Sequence, residues 1–289
     1  MTREASPRTV EHMGSASAGQ RLLARPPGGR LRRRAAVLFV GLLASVTTSA
    51  APGQQRSFVA CPIVRDTSTV PCWLAEYEGE LYFLTLQTDV SAPVNPPQLG
   101  HQVLVEGVVA DKPRVCGGIP LEPVVLSVLP EIDSSCSTML PAEDRYNLTF
   151  EAPRPPGPSR GRLAFDNPNP APRRAVPETL PRTFTLQYDF DSAIAFRHAG
   201  VLQQIQDVVV KQKAARVDIT AYRAASLLSN GKTLTERDGI GRRRAEQVAS
   251  LLKDAGLTAV TYQVQWQDAP PPDGLDDAAG RRADIVVRD

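Results

Sequence analysis

The sequence predicts an α+β protein: a small disulfide-linked β-barrel or sandwich, followed by a two-layer β-α-β-α-β-β sandwich. Three observations carry this. Residues 56–140 read as short β-branched and aromatic runs broken by Pro and Gly, without helical periodicity. All four cysteines, Cys61, Cys72, Cys116 and Cys136, fall inside that region. After Pro181 the apolar pattern alternates between period two and period 3.6, the signature of strands and helices taking turns.

The first fifty residues stand apart from both units. Arg30, Arg32, Arg33 and Arg34 precede the apolar run Ala35–Val46, and small residues follow up to Ala50. Basic patch, short apolar core and small residues in that order predict a secretory signal peptide cleaved after Ala50, behind a disordered Gly/Ser/Pro/Arg-rich extension. A membrane span needs about 20 apolar residues, so an uncleaved anchor is the weaker reading. Export to the periplasm or cell envelope, at the outer membrane side, is the expected localisation. Removing this segment reverses the charge. The whole chain carries +2, but residues 51–289 hold 25 Lys and Arg against 29 Asp and Glu, a balance of −4. Phosphate backbones are held by a basic surface that releases counterions, so no nucleic-acid partner is expected.

Within residues 56–140, the runs "SFVACPIV", "CWLAEYEGELYFLTLQ", "HQVLVEGVV" and "LEPVVLSVL" supply four or five strands. Glu78-Gly79 between two of them predicts a tight hairpin. A small, OB-like barrel is one form such strands take, and its thin core is the kind that disulfides reinforce. An even cysteine count in an exported chain predicts two disulfides. Sequence neighbours suggest Cys61–Cys72 and Cys116–Cys136, with three connectivities open. The spacings lack the paired C-x₂₋₄-C ligands of zinc sites, so no metal is expected. Residues 141–182 are a Pro-rich linker, which predicts an extended spacer that gives reach.

The last unit, 183–289, opens with the strand Thr183–Phe190. A helical pattern over Asp191–Ala214 follows, with Asp191 or Ser192 as its N-cap. Ala215–Tyr222 is a second strand, a basic helix ends near Gly256 as its C′ residue, and Ala259–Trp266 and Arg281–Asp289 complete the sheet. The basic helix admits two starts. In one, Thr235 caps it and Asp238 completes a capping box. In the other it starts at Gly239 and Gly241, which is favoured because a glycine inside a helix costs about 1 kcal/mol.

"DGIGRRRAEQVASLL" (Asp238–Leu252) has the Gly-x-Gly turn and basic helix of a helix-hairpin-helix DNA clamp. That motif needs an apolar residue two positions before the first Gly, where Arg237 stands, and an upstream helix, where "SNGKTLTER" is a polar loop. A different likeness spans 183–289. "YDFDSA" at the first strand end, "ITAY" on the second strand, "RRAEQVASLLKDAGL" on the second helix and "GRRADIVV" on the last strand occur in the order of an OmpA-like (peptidoglycan-associating) domain. The unit resembles that family.

The resemblance implies recognition of the diaminopimelate part of a peptidoglycan stem peptide. A carboxylate after the second strand would pair with the ligand ammonium, and an Arg on the following helix with its carboxylate. Arg244 matches the family Arg. The family's Gly-Tyr/His-Thr-Asp run reads Ala221-Tyr222-Arg223-Ala224, so Tyr222 matches while Ala224 replaces the Asp, and Asp238 is the candidate to supply the missing charge. Peptidoglycan-binding candidates are therefore Tyr222, Arg244 and Asp238. The expected function is non-covalent attachment of an exported envelope protein to peptidoglycan, with another envelope protein as partner of the β domain. The alternative is a periplasmic interaction scaffold whose OmpA-like domain no longer binds the wall. Catalysis is not expected: His101 and His198 are isolated, and no Gly-x-Ser-x-Gly or His-Glu-x-x-His run occurs. Asp276-Asp277 reads as a solvated loop pair, Trp73 and Trp266 as packing residues, and no cofactor is expected.

Overall fold

The structure is a computed structural model that describes residues 50–87, 96–148, 179–195 and 199–289. The expected signal segment up to residue 49, most of the Pro-rich linker and His198 lie outside the described residues.

Seven strands form one connected sheet: β1 Gln55–Ala60, β2 Pro62–Arg65, β3 Cys72–Tyr77, β4 Glu80–Leu86, β5 His101–Val109, β6 Ile119–Ile132 and β7 Met139–Leu140. Their order is β1-β5-β6-β4-β3-β2-β7. Glu78 and Gly79 form the two-residue β3–β4 turn, both at positive φ (52° and 76°), as a type I′ hairpin requires. The 14-residue β6 belongs to two halves. Ile119 and Pro120 run parallel to β4, and the rest pairs antiparallel with β5. That shared strand folds the sheet over a core of Phe58, Trp73, Tyr82, Leu84, Val103, Val105 and Leu126. Because β1 and β7 remain edges, the layers are an open sandwich and not the OB-like barrel.

The disulfides are Cys61–Cys136 and Cys72–Cys116, with Cα–Cα separations of 4.8 and 6.5 Å. This corrects the neighbour pairing suggested by the sequence. In the β2–β3 register Pro62 faces Ala75 while Arg65 faces Cys72, so Cys61 and Cys72 sit at opposite ends of one hairpin. Strands rise about 3.3 Å per residue, and a bridge needs Cα atoms within about 7 Å. Parallel pairing of β7 with β2 (Val64↔Met139) brings Cys136 to Cys61 instead.

The second sheet has the order β12-β9-β13-β8, from β8 Arg182–Gln187, β9 Arg216–Arg223, β12 Thr261–Asp268 and β13 Arg282–Arg288. Helices α1 Ala199–Gln212 and α2 Ile240–Asp254 pack on one face. Alternate strand residues (Phe184, Leu186, Val217, Ile219, Ala283, Ile285, Val287) meet helix residues at three- and four-residue spacing (Ile205, Val208, Val209, Ala245, Val248, Ala249, Leu252). Helix α2 starts at the glycines, the favoured alternative. It ends in a Schellman motif: Gly256 N–H donates to Lys253 O and Leu257 N–H to Leu252 O, with Gly256 at φ 93°.

Two expectations fail locally. Helix α1 begins at Ala199, so Asp191 and Ser192 do not cap it; Asp191 has a left-handed φ of 56° in a loop. The "polar loop" upstream of α2 contains a strand, β11 Thr233–Thr235, which pairs in a small hairpin with β10 Ala225–Leu227 just before the loop.

The two sheets belong to one unit, Thr48–Asp289. Arg281, entering β13, forms a buried ion pair with Glu106 of β5, and Phe190 N–H donates to Ser127 Oγ at 2.9 Å. The linker therefore joins parts that already touch, which corrects its expected role of giving reach.

Candidate functional site

Seven α2 residues are buried: Ile240, Gly241, Arg244, Ala245, Val248, Ala249 and Leu252. Their spacing puts Arg244 on the inward stripe of the helix, and its side chain is fully buried. A guanidinium there must find five acceptors, and it does. Nε donates to Ser192 O (2.9 Å); Nη1 donates to Tyr222 O (2.7 Å) and Glu236 Oε2 (2.8 Å); Nη2 donates to Asp189 O (3.2 Å) and Glu236 Oε1 (2.5 Å). The Tyr188 ring lies 4.8 Å from its Cζ. Burial pushes the Tyr188 hydroxyl up to about 12, against the opposing pull of Arg244.

Glu236 follows β11 directly and is equally buried. Beyond its bidentate grip on Arg244, Oε1 accepts the Asp191 N–H (2.9 Å) and Oε2 the Ala224 N–H (2.8 Å). Four donors on one carboxylate is the arrangement that offsets the desolvation cost of a buried ion pair. The irregular Asp191–Ser192 loop has a clear role here, since it supplies one donor to Glu236 and one acceptor to Arg244. Burial raises the Asp191 carboxyl above its ordinary value, opposed by the Arg237 N–H and guanidinium beside it.

The predicted site residues separate. Arg244 is at the centre. Tyr222 contributes its backbone oxygen to Arg244, while its ring lies under Arg282, 4.3 Å from Cζ. Asp238 does not supply the missing carboxylate: its side chain is 93% exposed and pairs with Arg223 at 2.8 Å. The partner is Glu236, two residues earlier, inside the "LTER" run. Sequence reasoning missed Glu236; the signal that could have found it is that a buried Arg demands a carboxylate and Glu236 is the other acid close to Asp238. Choosing between it and Asp238 requires the hairpin geometry.

A second buried pair lies where the sheets meet. Arg281 Nη1 donates to Glu106 Oε1 (3.1 Å) and to Ser226 Oγ (3.0 Å), Nη2 donates to Glu106 Oε2, and Ser226 Oγ donates to Glu106 Oε1 (2.8 Å). Asp277 is a structural acceptor and not a solvated residue: it receives the Leu227 N–H (2.7 Å) and the Asp273 N–H (3.0 Å). His101 Nδ1 is within 2.9 Å of Leu129 O, and Trp73 is core. Trp266 is 49% exposed on β12, under the Arg242 guanidinium. The one cluster with metal-ligand chemistry among the described residues, Cys61, Asp133 and Cys136, has both sulfurs in a disulfide.

No protein-family model matches the sequence, and no curated protein does. Two solved structures are similar over 37% of this chain. One is a protein described as MotB-like from Desulfovibrio vulgaris, with 14% identity, 74% of that chain covered and a TM-score of 0.30. The other is the cell wall anchor of the T6SS from Pseudomonas aeruginosa, with 20% identity, 80% of that chain covered and a TM-score of 0.27. Likeness at this level bears on neither ligand nor activity, so the chemistry rests on the site itself. That site holds one carboxylate with an Arg fork and two backbone amides, and the carboxylate belongs to the chain.

Proposed function

We propose that the chain is a non-catalytic protein of the cell envelope that works as an interaction scaffold, its OmpA-like unit keeping the ion-pair chemistry of the resembled site but turning it inward. The single observation behind this reading is that all five Arg244 donors are taken by internal acceptors. An external carboxylate would have to displace Glu236 from four hydrogen bonds. The two disulfides support an oxidising, exported setting, and another envelope protein remains the partner class for the seven-stranded sheet.

A second reading is favoured by the same site. Arg244 with the Asp191 and Ala224 amides is a working carboxylate receptor, and a peptidoglycan stem peptide carries carboxylates. Sedimentation of residues 51–289 with purified sacculi at low salt decides between them. The scaffold reading expects the protein to stay in the supernatant and to crosslink to a defined partner in the periplasm. Co-sedimentation with sacculi would overturn it.

A further inference from the structure

Glu236 is carried on a hairpin with two fastenings. At its base, β10 begins directly after Ala224 and β11 ends directly before Glu236, so both strand ends lead into the Arg244 site. Along its length and at its tip, the hairpin is held elsewhere. Ser226 of β10 completes the Glu106–Arg281 pair, and Leu227 N–H donates to Asp277. Ser229 N–H donates to Ser57 O at 2.7 Å, and Ser57 N–H donates back to Ser229 Oγ at 2.9 Å. Ser57 is in β1 and Glu106 in β5, so the seven-stranded sheet grips the hairpin directly.

The geometry points to the β10–β11 hairpin being a plug. It seats Glu236 in a carboxylate receptor made by Arg244 and the amides of Asp191 and Ala224, and the seven-stranded sheet holds it there. An external carboxylate reaches Arg244 only when the hairpin lifts from that sheet, so the hairpin's hold on β1 and β5 controls the receptor. This rests on the reading of Arg244 as a carboxylate receptor and adds its regulation. The coupling is mechanical and short: from Ser226 to Ala224 is two residues, and from Thr235 to Glu236 is one.

The test is amide hydrogen exchange by NMR on residues 51–289 with both disulfides intact. The variant Ser226→Ala/Ser229→Ala removes the side-chain hydrogen bonds of the hairpin to Glu106, Arg281 and Ser57 N–H, and leaves the Ser229 N–H to Ser57 O bond and the Glu106–Arg281 ion pair in place. Each hydrogen bond contributes about one factor of five to ten, so the Asp191 and Ala224 amides should exchange roughly tenfold faster or more. Ile219 and Ile285, in the sheet under the helices, should be unchanged. Acetate, as the probe carboxylate, should slow those two amides again in the variant and leave the unsubstituted protein unaffected. Unchanged exchange at Asp191 and Ala224 overturns the plug, as does equal acceleration at all four positions. Failure of acetate to slow exchange overturns the receptor. Sacculus sedimentation does not enter this readout, so the scaffold reading and the plug fail separately.

Discussion

Replacing Glu236 by Ala removes one carboxylate and leaves four donors without it: Arg244 Nη1 and Nη2, and the amides of Asp191 and Ala224. Arg244 remains fully buried, so its charge loses its counter-ion in a site water does not reach. Breaking a buried pair in this way costs about 3–5 kcal/mol. For a unit of this size each kcal/mol moves the midpoint by about 2–4 °C, which predicts a drop of roughly 6–20 °C. The reference is Asp238→Ala, which breaks an exposed pair with Arg223 and should cost about 0–1 kcal/mol. Thermal and urea unfolding of residues 51–289 read both variants, and the Glu236→Ala/Arg244→Met double variant, which removes both charges, should recover much of the loss. Formate or acetate should raise the Glu236→Ala midpoint by mass action. If Glu236→Ala falls no further than Asp238→Ala, the pair does not hold the site and the reasoning from burial is wrong.

Two other outcomes are expected. Non-reducing proteolytic mapping should recover peptides linking Cys61 to Cys136 and Cys72 to Cys116, and reduction should cost about 2–4 kcal/mol per bridge in unfolding experiments; a Cys61–Cys72 peptide would refute the topology. Ultraviolet titration should show Tyr188 ionising at about 12, pushed up by its burial. The folded state holds that proton longer than the unfolded chain does, so this contribution is complete below about pH 10 and is lost as pH rises towards 12. Tyr188→Phe should remove the step at about 12, while the Tyr77 and Tyr262 hydroxyls, also raised by burial, still titrate.

Much of the fold was legible because its determinants are local. Period-two runs marked the strands of the last sheet to within one or two residues at most ends. Glu78-Gly79 announced its hairpin, and Gly256 its helix end, since positive φ is a property of single residues. The first helix was read too early because apolar residues at helical spacing continue back to Asp191. Tertiary contacts won there: Asp191 and Ser192 gain more by serving Glu236 and Arg244 than by extending the helix. The β10–β11 hairpin was missed because its strands are only three residues each, too short to show a period, and they are held by contacts to Ser57, Glu106 and Asp277.

By itself the sequence determined that this is an α+β chain and that its cysteines concentrate in the β region; it favoured the glycines over Thr235 as the start of α2, and the resemblance singled out Arg244 as a residue that meets a carboxylate. Tertiary structure alone decided which carboxylate. Asp238 and Glu236 are two residues apart, and only the path of the hairpin turns one into solvent and the other beneath α2. The same holds for Cys61 and Cys136, 75 residues apart, and for Glu106 and Arg281, 175 apart. Periodicity and turn chemistry act over a few residues, whereas a buried charge or thiol is satisfied by whatever the strand order brings next to it.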